Sequence, residues 1–140
     1  MSTFDTELVD RFEALYGGGR ALAHVHAPAR SEIAGNHTDH EGGHVVAGAL
    51  DVSIEGVAAL NGTSTVRVAS DGYEPFELDL TDLEPRVAEQ VSTAGLVRGM
   101  AHELQLTGRT PQGFDLVMTS DIPGGSGLSS SAALELAVGR

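Results

Sequence analysis

The chain has 140 residues, 41% hydrophobic and 20% charged, and its 20 acidic against 8 basic residues give a formal net charge of −12. That length and balance suit one globular domain with a core, not a disordered segment. The acidity and the scattered arginines argue against nucleic acid or an anionic membrane surface as partner, and the absence of cysteine excludes disulfides and thiolate metal sites.

Phe4, Leu8, Phe12 and Leu15 recur at helical spacing, so residues 3–16 read as an amphipathic helix stopped by Gly17-Gly18-Gly19. Residues 21–27 alternate as a strand that Pro28 ends. The stretch from Ala29 to Gly43 reads as a polar loop with one turn of helix at most. Strands follow at 45–50, 53–60, 64–69 and 74–80, with Asn61-Gly62 and Asp71-Gly72 as hairpin turn signals. Leu83-Glu84-Pro85 then opens a helix whose buried face is marked by Val87, Val91, Ala94, Val97, Ala101 and Leu104. Gly95 and Gly99 within it either weaken it or permit close packing, and Gly108 ends it. A last strand over 113–119 feeds a glycine-rich loop and a final helix. The fold class is therefore α+β with a mixed or antiparallel sheet. The N-terminus lacks the basic and apolar regions of a signal peptide. No apolar run nears the ~18 residues of a membrane span, so a cytoplasmic protein without a membrane partner is expected.

Two segments carry chemistry. The first is Pro123-Gly124-Gly125-Ser126-Gly127-Leu128-Ser129-Ser130-Ser131-Ala132. Glycines leave backbone N–H groups bare, and the positive end of the following helix completes an anion pocket. A plain alternative is a glycine turn with a serine-capped helix, Glu135 closing the cap. Three consecutive serines exceed what capping needs, and hydroxyls beside phosphates donate to them or ligate magnesium. Neither the lysine of a Walker loop nor the glycine spacing of a dinucleotide fingerprint is present.

The second segment runs from Ala27 to His44 and includes Arg30, Asn36, His37, Thr38 and Asp39. Its density of hydrogen-bonding side chains suits a small polyhydroxylated ligand, or simply a solvated loop. His37, His40 and His44 would form a metal face only on a helix through Gly42-Gly43, which glycine disfavours.

The first segment resembles the ATP motif of the kinases of galactose, homoserine, mevalonate and phosphomevalonate. The second is similar to the galactokinase signature in Arg30, Gly35, His37, Thr38, Asp39 and Gly42-Gly43. The two lie in the family's order, about ninety residues apart. The resemblance implies a fold like ribosomal protein S5 domain 2, ATP and Mg2+ as cofactors, and phosphorylation of galactose at its anomeric hydroxyl. It implies that Gly125, Ser126, Gly127, Leu128, Ser129, Ser130 and Ser131 wrap the nucleotide phosphates, with Ser131 as magnesium ligand. By the same resemblance Arg30 stabilises the developing charge, Asn36, His37, Thr38 and Asp39 hold the sugar, and Ser70 touches the nucleotide.

Asn36 stands where the family has an acid, His40 where it has tyrosine and Ala29 where it has glycine. The sugar thus stays open between galactose and another pyranose. A non-catalytic sensor of sugar and nucleotide is a further reading. In galactokinases the catalytic aspartate, a second magnesium ligand and a C-terminal domain follow the glycine-loop helix, so residues 1–140 are expected to be the N-terminal part of such a kinase. Leu134 and Val138 are then expected to lie uncovered, with marginal stability as the consequence.

Overall fold

The computed structural model describes residues 6–35, 42–124 and 126–139. Helix α1 (Thr6–Tyr16) precedes strands β1 (Ala23–Ala34), β2 (Val46–Leu60), β3 (Thr65–Ser70) and β4 (Phe76–Asp79). A 3-10 turn (Val87–Glu89), helix α2 (Thr93–Leu106), strand β5 (Phe114–Ser120) and helix α3 (Ser130–Gly139) complete the order. The five strands form one sheet in the order β1-β2-β5-β3-β4, with β3 and β5 parallel and the other pairs antiparallel. The expected α+β class with a mixed sheet is what is found.

Strand alternation divides the core between two faces. Ile54, Val66, Val68, Leu116 and Met118 point to one face, where Val97 and Ala101 of α2 and Ala133, Leu134 and Ala137 of α3 cover them. Val57, Ala59, Ala69 and Val117 point to the other and meet Leu8 and Phe12 of α1. Phe12 and Val117 are fully buried. No helix among the described residues is long and apolar enough to cross a membrane.

The chain differs from the sequence expectations at several points. Pro28 does not end β1, because β1 is an edge strand on which a missing N–H costs no ladder bond. The strand bends through register shifts at Pro28/Arg30 and Glu32/Ala34 and continues to Ala34, so part of the expected loop is strand. Residues 46–60 form one strand rather than two. Asn61-Gly62 makes no hairpin, since β5 inserts between β2 and β3. Instead the Asn61 side chain caps the turn, accepting from Thr63 N and donating to the Thr65 carbonyl.

Helix α2 starts at Thr93, not at Pro85. Val91 takes the left-handed φ of 61°, which a β-branched residue adopts only under strain and which no helix tolerates. Ser92 then caps the helix by accepting from Gly95 N at 3.0 Å. Val87 and Val91 are accordingly exposed rather than buried. Leu134, expected to be uncovered, is buried, and Val138 packs partly against the same core; the exposed leucine of α3 is Leu136.

Two buried charges tie this frame together. Asp115, fully buried at the start of β5, accepts from Arg67 Nε at 2.7 Å, Arg67 Nη2 at 2.8 Å, Arg20 Nη1 at 2.6 Å and Asn61 Nδ2 at 2.9 Å. Arg20 also lies over the Phe12 ring and Arg67 over the Tyr16 ring, each at 4.9 Å. Burial and the neighbouring Asp115 charge raise the Tyr16 phenol above its ordinary value. On the other face, buried Arg98 of α2 donates from Nε and Nη2 to Glu89 at 2.6 and 2.9 Å, and from Nη1 to the Asp82 carbonyl. It fastens the segment that precedes α2 onto α2 itself.

Burial pushes the Asp115 carboxyl up, but the hydrogen bonds from Arg67, Asn61 and Arg20 outweigh this and hold it below its ordinary 3.8. A carboxylate with a lowered folded pKa stabilises the fold fully above the unfolded value, and that contribution is lost as pH falls through the folded value. Asp115→Asn should therefore lower the unfolding free energy by about 3 kcal/mol at neutral pH, the cost of breaking a buried ion pair. It should also flatten the loss of stability below pH ~4. Urea unfolding as a function of pH checks both; equal acid slopes for the two proteins would remove Asp115 as the titrating group.

The two glycines of α2 should separate cleanly. A Cβ on Gly95 would strike the Glu89 carbonyl oxygen, whereas one on Gly99 meets nothing within 4 Å. Gly99→Ala should stabilise by about 0.5–1 kcal/mol through helix propensity. Gly95→Ala should instead destabilise by about 1–3 kcal/mol through overpacking. Melting curves of the two variants give the signs directly.

Candidate active site

Strand directions set where chemistry collects. β1 and β2 are antiparallel, β2 and β5 antiparallel, and β3 and β5 parallel, so β1, β3 and β5 all run the same way. Their C-terminal ends reach one edge of the sheet and deliver Arg30, Ser70 and the glycine-serine loop there. Asp115 lies at the far end of β5.

The loop leaves β5 through Asp121 and Ile122, the latter buried. Ser126 closes a turn, its N and Oγ both donating to the Pro123 carbonyl at 3.4 and 2.6 Å. Gly127 takes a φ of 74° and Ser129 one of 59°. Glycine takes the first at no steric cost; Ser129 is strained there, as residues at binding loops often are. Leu128 packs partly against the main core. Its carbonyl accepts from the main-chain N of Arg30 at 3.4 Å, so the loop's return leg lies directly on β1.

Helix α3 begins at Ser130, its first intrahelical bond running from Ala133 N to the Ser129 carbonyl at 3.0 Å. Its first N–H groups lack intrahelical partners and end at the loop, which makes the loop mouth attractive to anions. With Ser129 just before the helix, a capping box would need its acid at Ala132. Glu135 therefore does not close the cap expected of it, and lies a turn further along, exposed.

Of the residues singled out from sequence, Ser70, Ser130 and Ser131 line one cavity of about 530 Å3 with Val68, Phe76 and Leu134 as apolar wall. Arg30 and Ser129 line a separate groove of about 850 Å3 between β1 and α3. The loop is the partition between the two. A third groove, of about 1140 Å3, runs along α2 and includes Ser131 among the proposed phosphate-loop residues. Arg30 Nη1 stands 3.9 Å from Glu32 Oε2. Asn36, His37, Thr38, Asp39 and Gly125 lie outside the described residues, as do His37 and His40 of the possible His37-His40-His44 face; His44 is described and exposed.

Sequence reading passed over two groups near this edge. Asp121 accepts from Ser53 N at 2.6 Å, fixing the root of the loop to β2. Glu55 lies between His24 Nε2, at 2.9 Å, and His26 Nδ1, and also accepts from Ser53 Oγ at 3.0 Å. Burial raises the Glu55 carboxyl, but the hydrogen bonds from His26 and Ser53 prevail and hold it below its ordinary value. The i, i+2 repeat of His24 and His26 on a strand was the available signal for that cluster. Among the described residues no group of three or more His, Asp or Glu side chains could hold a metal ion.

The galactokinase galactose-binding signature matches residues 10–60, and the GHMP kinases N terminal domain matches residues 95–140. The galactokinase of Bacillus subtilis (strain 168) is 36% identical over 95% of this chain, and that of Lactococcus lactis subsp. cremoris (strain MG1363) is 34% identical over 99%. The crystal structure of Lactococcus lactis galactokinase complexed with galactose superposes with a TM-score of 0.84, at 31% identity over 95% of this chain and 35% of that one. Methanococcus jannaschii mevalonate kinase superposes at 0.62 with 17% identity over 86% of this chain and 38% of its own, a likeness of fold. The chain spans about a third (35%) of the length of the curated relatives it matches. Along nearly its whole length the chain is similar to galactokinases, and its C-terminal third matches the N-terminal domain of the GHMP kinases.

Proposed function

We propose that the protein containing this chain transfers the γ-phosphoryl group of ATP to the anomeric hydroxyl of galactose, in the cytoplasm, and that residues 1–140 are its N-terminal sugar- and phosphate-binding part. The observation that carries the reading is the bond from Arg30 N to the Leu128 carbonyl. It holds the strand that leads toward Asn36–Asp39 against the loop proposed to hold the phosphates, so acceptor and donor would meet across one partition.

In this reading Gly125–Ser131 present backbone N–H groups to the phosphates, and Ser130 and Ser131 add hydroxyl donors. Ser70 sits across the same cavity, whose apolar wall suits a nucleotide base. Asn36, His37, Thr38 and Asp39 bind the sugar hydroxyls. Arg30, on the other side of the loop, stabilises charge that develops on the transferring group. Magnesium fits this donor set: it favours hard oxygen ligands and keeps water and phosphate for most of its positions, so the Ser131 hydroxyl would supply one protein ligand, with a second expected beyond residue 140. When bound it neutralises phosphate charge. Asp115 and Asp121 precede the loop, whereas the resemblance places the catalytic aspartate after it, so neither is assigned as catalytic base.

A second acceptor is favoured by one residue. Asn36 places a neutral amide where a carboxylate would accept from a sugar hydroxyl, and a charge-assisted bond is about twice as strong as a neutral one. A pyranose other than galactose would follow if Asn36 matches its substituent better.

The test is a coupled ADP-release assay of the intact protein over a panel of pyranoses, with galactose expected to give the highest kcat/KM. Turnover of none of them, with tight calorimetric binding of galactose and MgATP, would identify a sensor instead. In the active protein Arg30→Ala should lower kcat by about 10³-fold. The KM for sugar should stay within about threefold, since the group acts on the transition state alone. The main-chain bond to Leu128 survives this substitution, so the effect reads the guanidinium.

A further inference from the structure

Regular pairing of β2 with β5 ends at Ile54 opposite Ser120. One residue later Asp121 N still donates to the Ser53 carbonyl at 3.3 Å, as an antiparallel ladder requires. The reciprocal bond is different. In a regular ladder Ser53 N would donate to the main-chain carbonyl of Asp121; here it donates to the side-chain Oδ1 at 2.6 Å. The carboxylate thus replaces a peptide carbonyl. The peptide unit after Asp121 is released from the sheet, and the chain turns away with Ser53 N still satisfied. Ser120 assists, its Oγ accepting from Ile122 N at 3.2 Å. Ile122 is then buried as an anchor, and Pro123 has no N–H with which to resume the ladder.

We infer that Asp121 is a positioning residue for the phosphate loop, acting as a ladder terminator that fixes where the loop leaves the sheet. Asp121 is exposed, so the core does not require it. Its bond is the short, charge-assisted kind that holds geometry well. Its partner is also well placed. Ser53 is opposite Pro28, at the register shift beyond which Arg30 pairs with Ala49. One clamp therefore sets the loop root relative to the strand that carries Arg30, while Leu128 sets the return leg. Backbone donors to a phosphate need placement within about half an ångström, so a loop root released from its clamp weakens their grip on the nucleotide. What the clamp requires is an acceptor at Oδ1; the negative charge itself is adverse beside an anion site.

This role rests on the phosphoryl-transfer reading above. The experiment compares Asp121→Ala and Asp121→Asn in the intact protein by steady-state kinetics and by amide hydrogen exchange. Asp121→Ala should raise the KM for MgATP about tenfold with kcat reduced no more than about threefold and sugar KM unchanged. Asp121→Asn, which keeps the acceptor, should restore both within about twofold. Exchange should quicken at Ser53 and the loop amides in the alanine variant, with the β3–β4 hairpin unchanged. If Asp121→Ala does not fold, Asp121→Glu, which keeps the charge but moves the acceptor, takes its place with the same expectation. Wild-type KM and exchange in Asp121→Ala would overturn the inference. So would asparagine as impaired as alanine, or faster exchange throughout with both KM values rising together. Should the wild type phosphorylate no sugar, the functional reading fails by itself; affinity for a fluorescent ADP analogue and loop exchange then still decide the clamp.

Discussion

The Asp115 carboxylate is the interaction on which the rest of the fold depends. It is fully buried and would be prohibitive there unpaired, yet four hydrogen bonds from Arg67, Arg20 and Asn61 satisfy it. Each donor comes from a different part of the chain: β3, the connection after α1, and the turn after β2. β5 enters between β2 and β3, and a one-residue slip would set Leu116 and Met118 on the α1 face. Asp115 removes that freedom by allowing only the register that meets two guanidinium groups. Because β5 runs straight into the glycine-serine loop, a register fixed at one end determines where the loop emerges at the other.

Arg98 does similar work on the opposite face, with a different result. By gripping Glu89 and the Asp82 carbonyl it holds an irregular segment that has little reason to sit where it does. Arg86 adds an ion pair to Asp82 at 2.7 Å, largely solvent-exposed and of small energetic consequence. The strained Val91 and the Ser92 cap are set by this grip, and both line the cavity that Ser70, Ser130 and Ser131 share. Buried charge in this domain serves register and placement more than net stability.

Much of the fold was legible because hydrophobic periodicity is local. Phe12 and Leu8 gave α1, and the alternation from Val57 to Ala59 gave a strand with one face toward each core. What periodicity could not show was tertiary. Val87 and Val91 fall on the helical stripe of α2, but a buried Arg98 nine residues from Glu89 overrides that stripe, and nothing within a short window signals it. Asn61-Gly62 has hairpin chemistry, yet strand order is decided by which pairing buries Val66 and Val68 beneath α2 and α3. Pro28 reads as a terminator unless the strand is known to be an edge. For the site, the glycine-serine loop and Arg30 stood out as patterns, and the structure adds their contact through Leu128. Asp121 carried no signal of its own, since an aspartate before an apolar residue and a proline is a common turn opening.

The charge of the chain explains why the loop is built from backbone. Arg11 pairs with Asp71, Arg20 and Arg67 with Asp115, Arg86 with Asp82 and Arg98 with Glu89. Those cations are spent on the protein's own carboxylates, and the chain has no lysine. In the proposed function, the −12 net charge of residues 1–140 would contribute repulsion, not attraction, to a polyphosphate approaching at long range. The attraction proposed here is short-ranged, from N–H groups at the start of α3 and from Arg30 on the strand beside them. Amides fixed in a peptide plane cannot swing toward a ligand as a lysine can. Their usefulness depends wholly on where the main chain is held, and on this domain it is held by Asp121 at the root, Ser126 in the turn and Arg30 at the return.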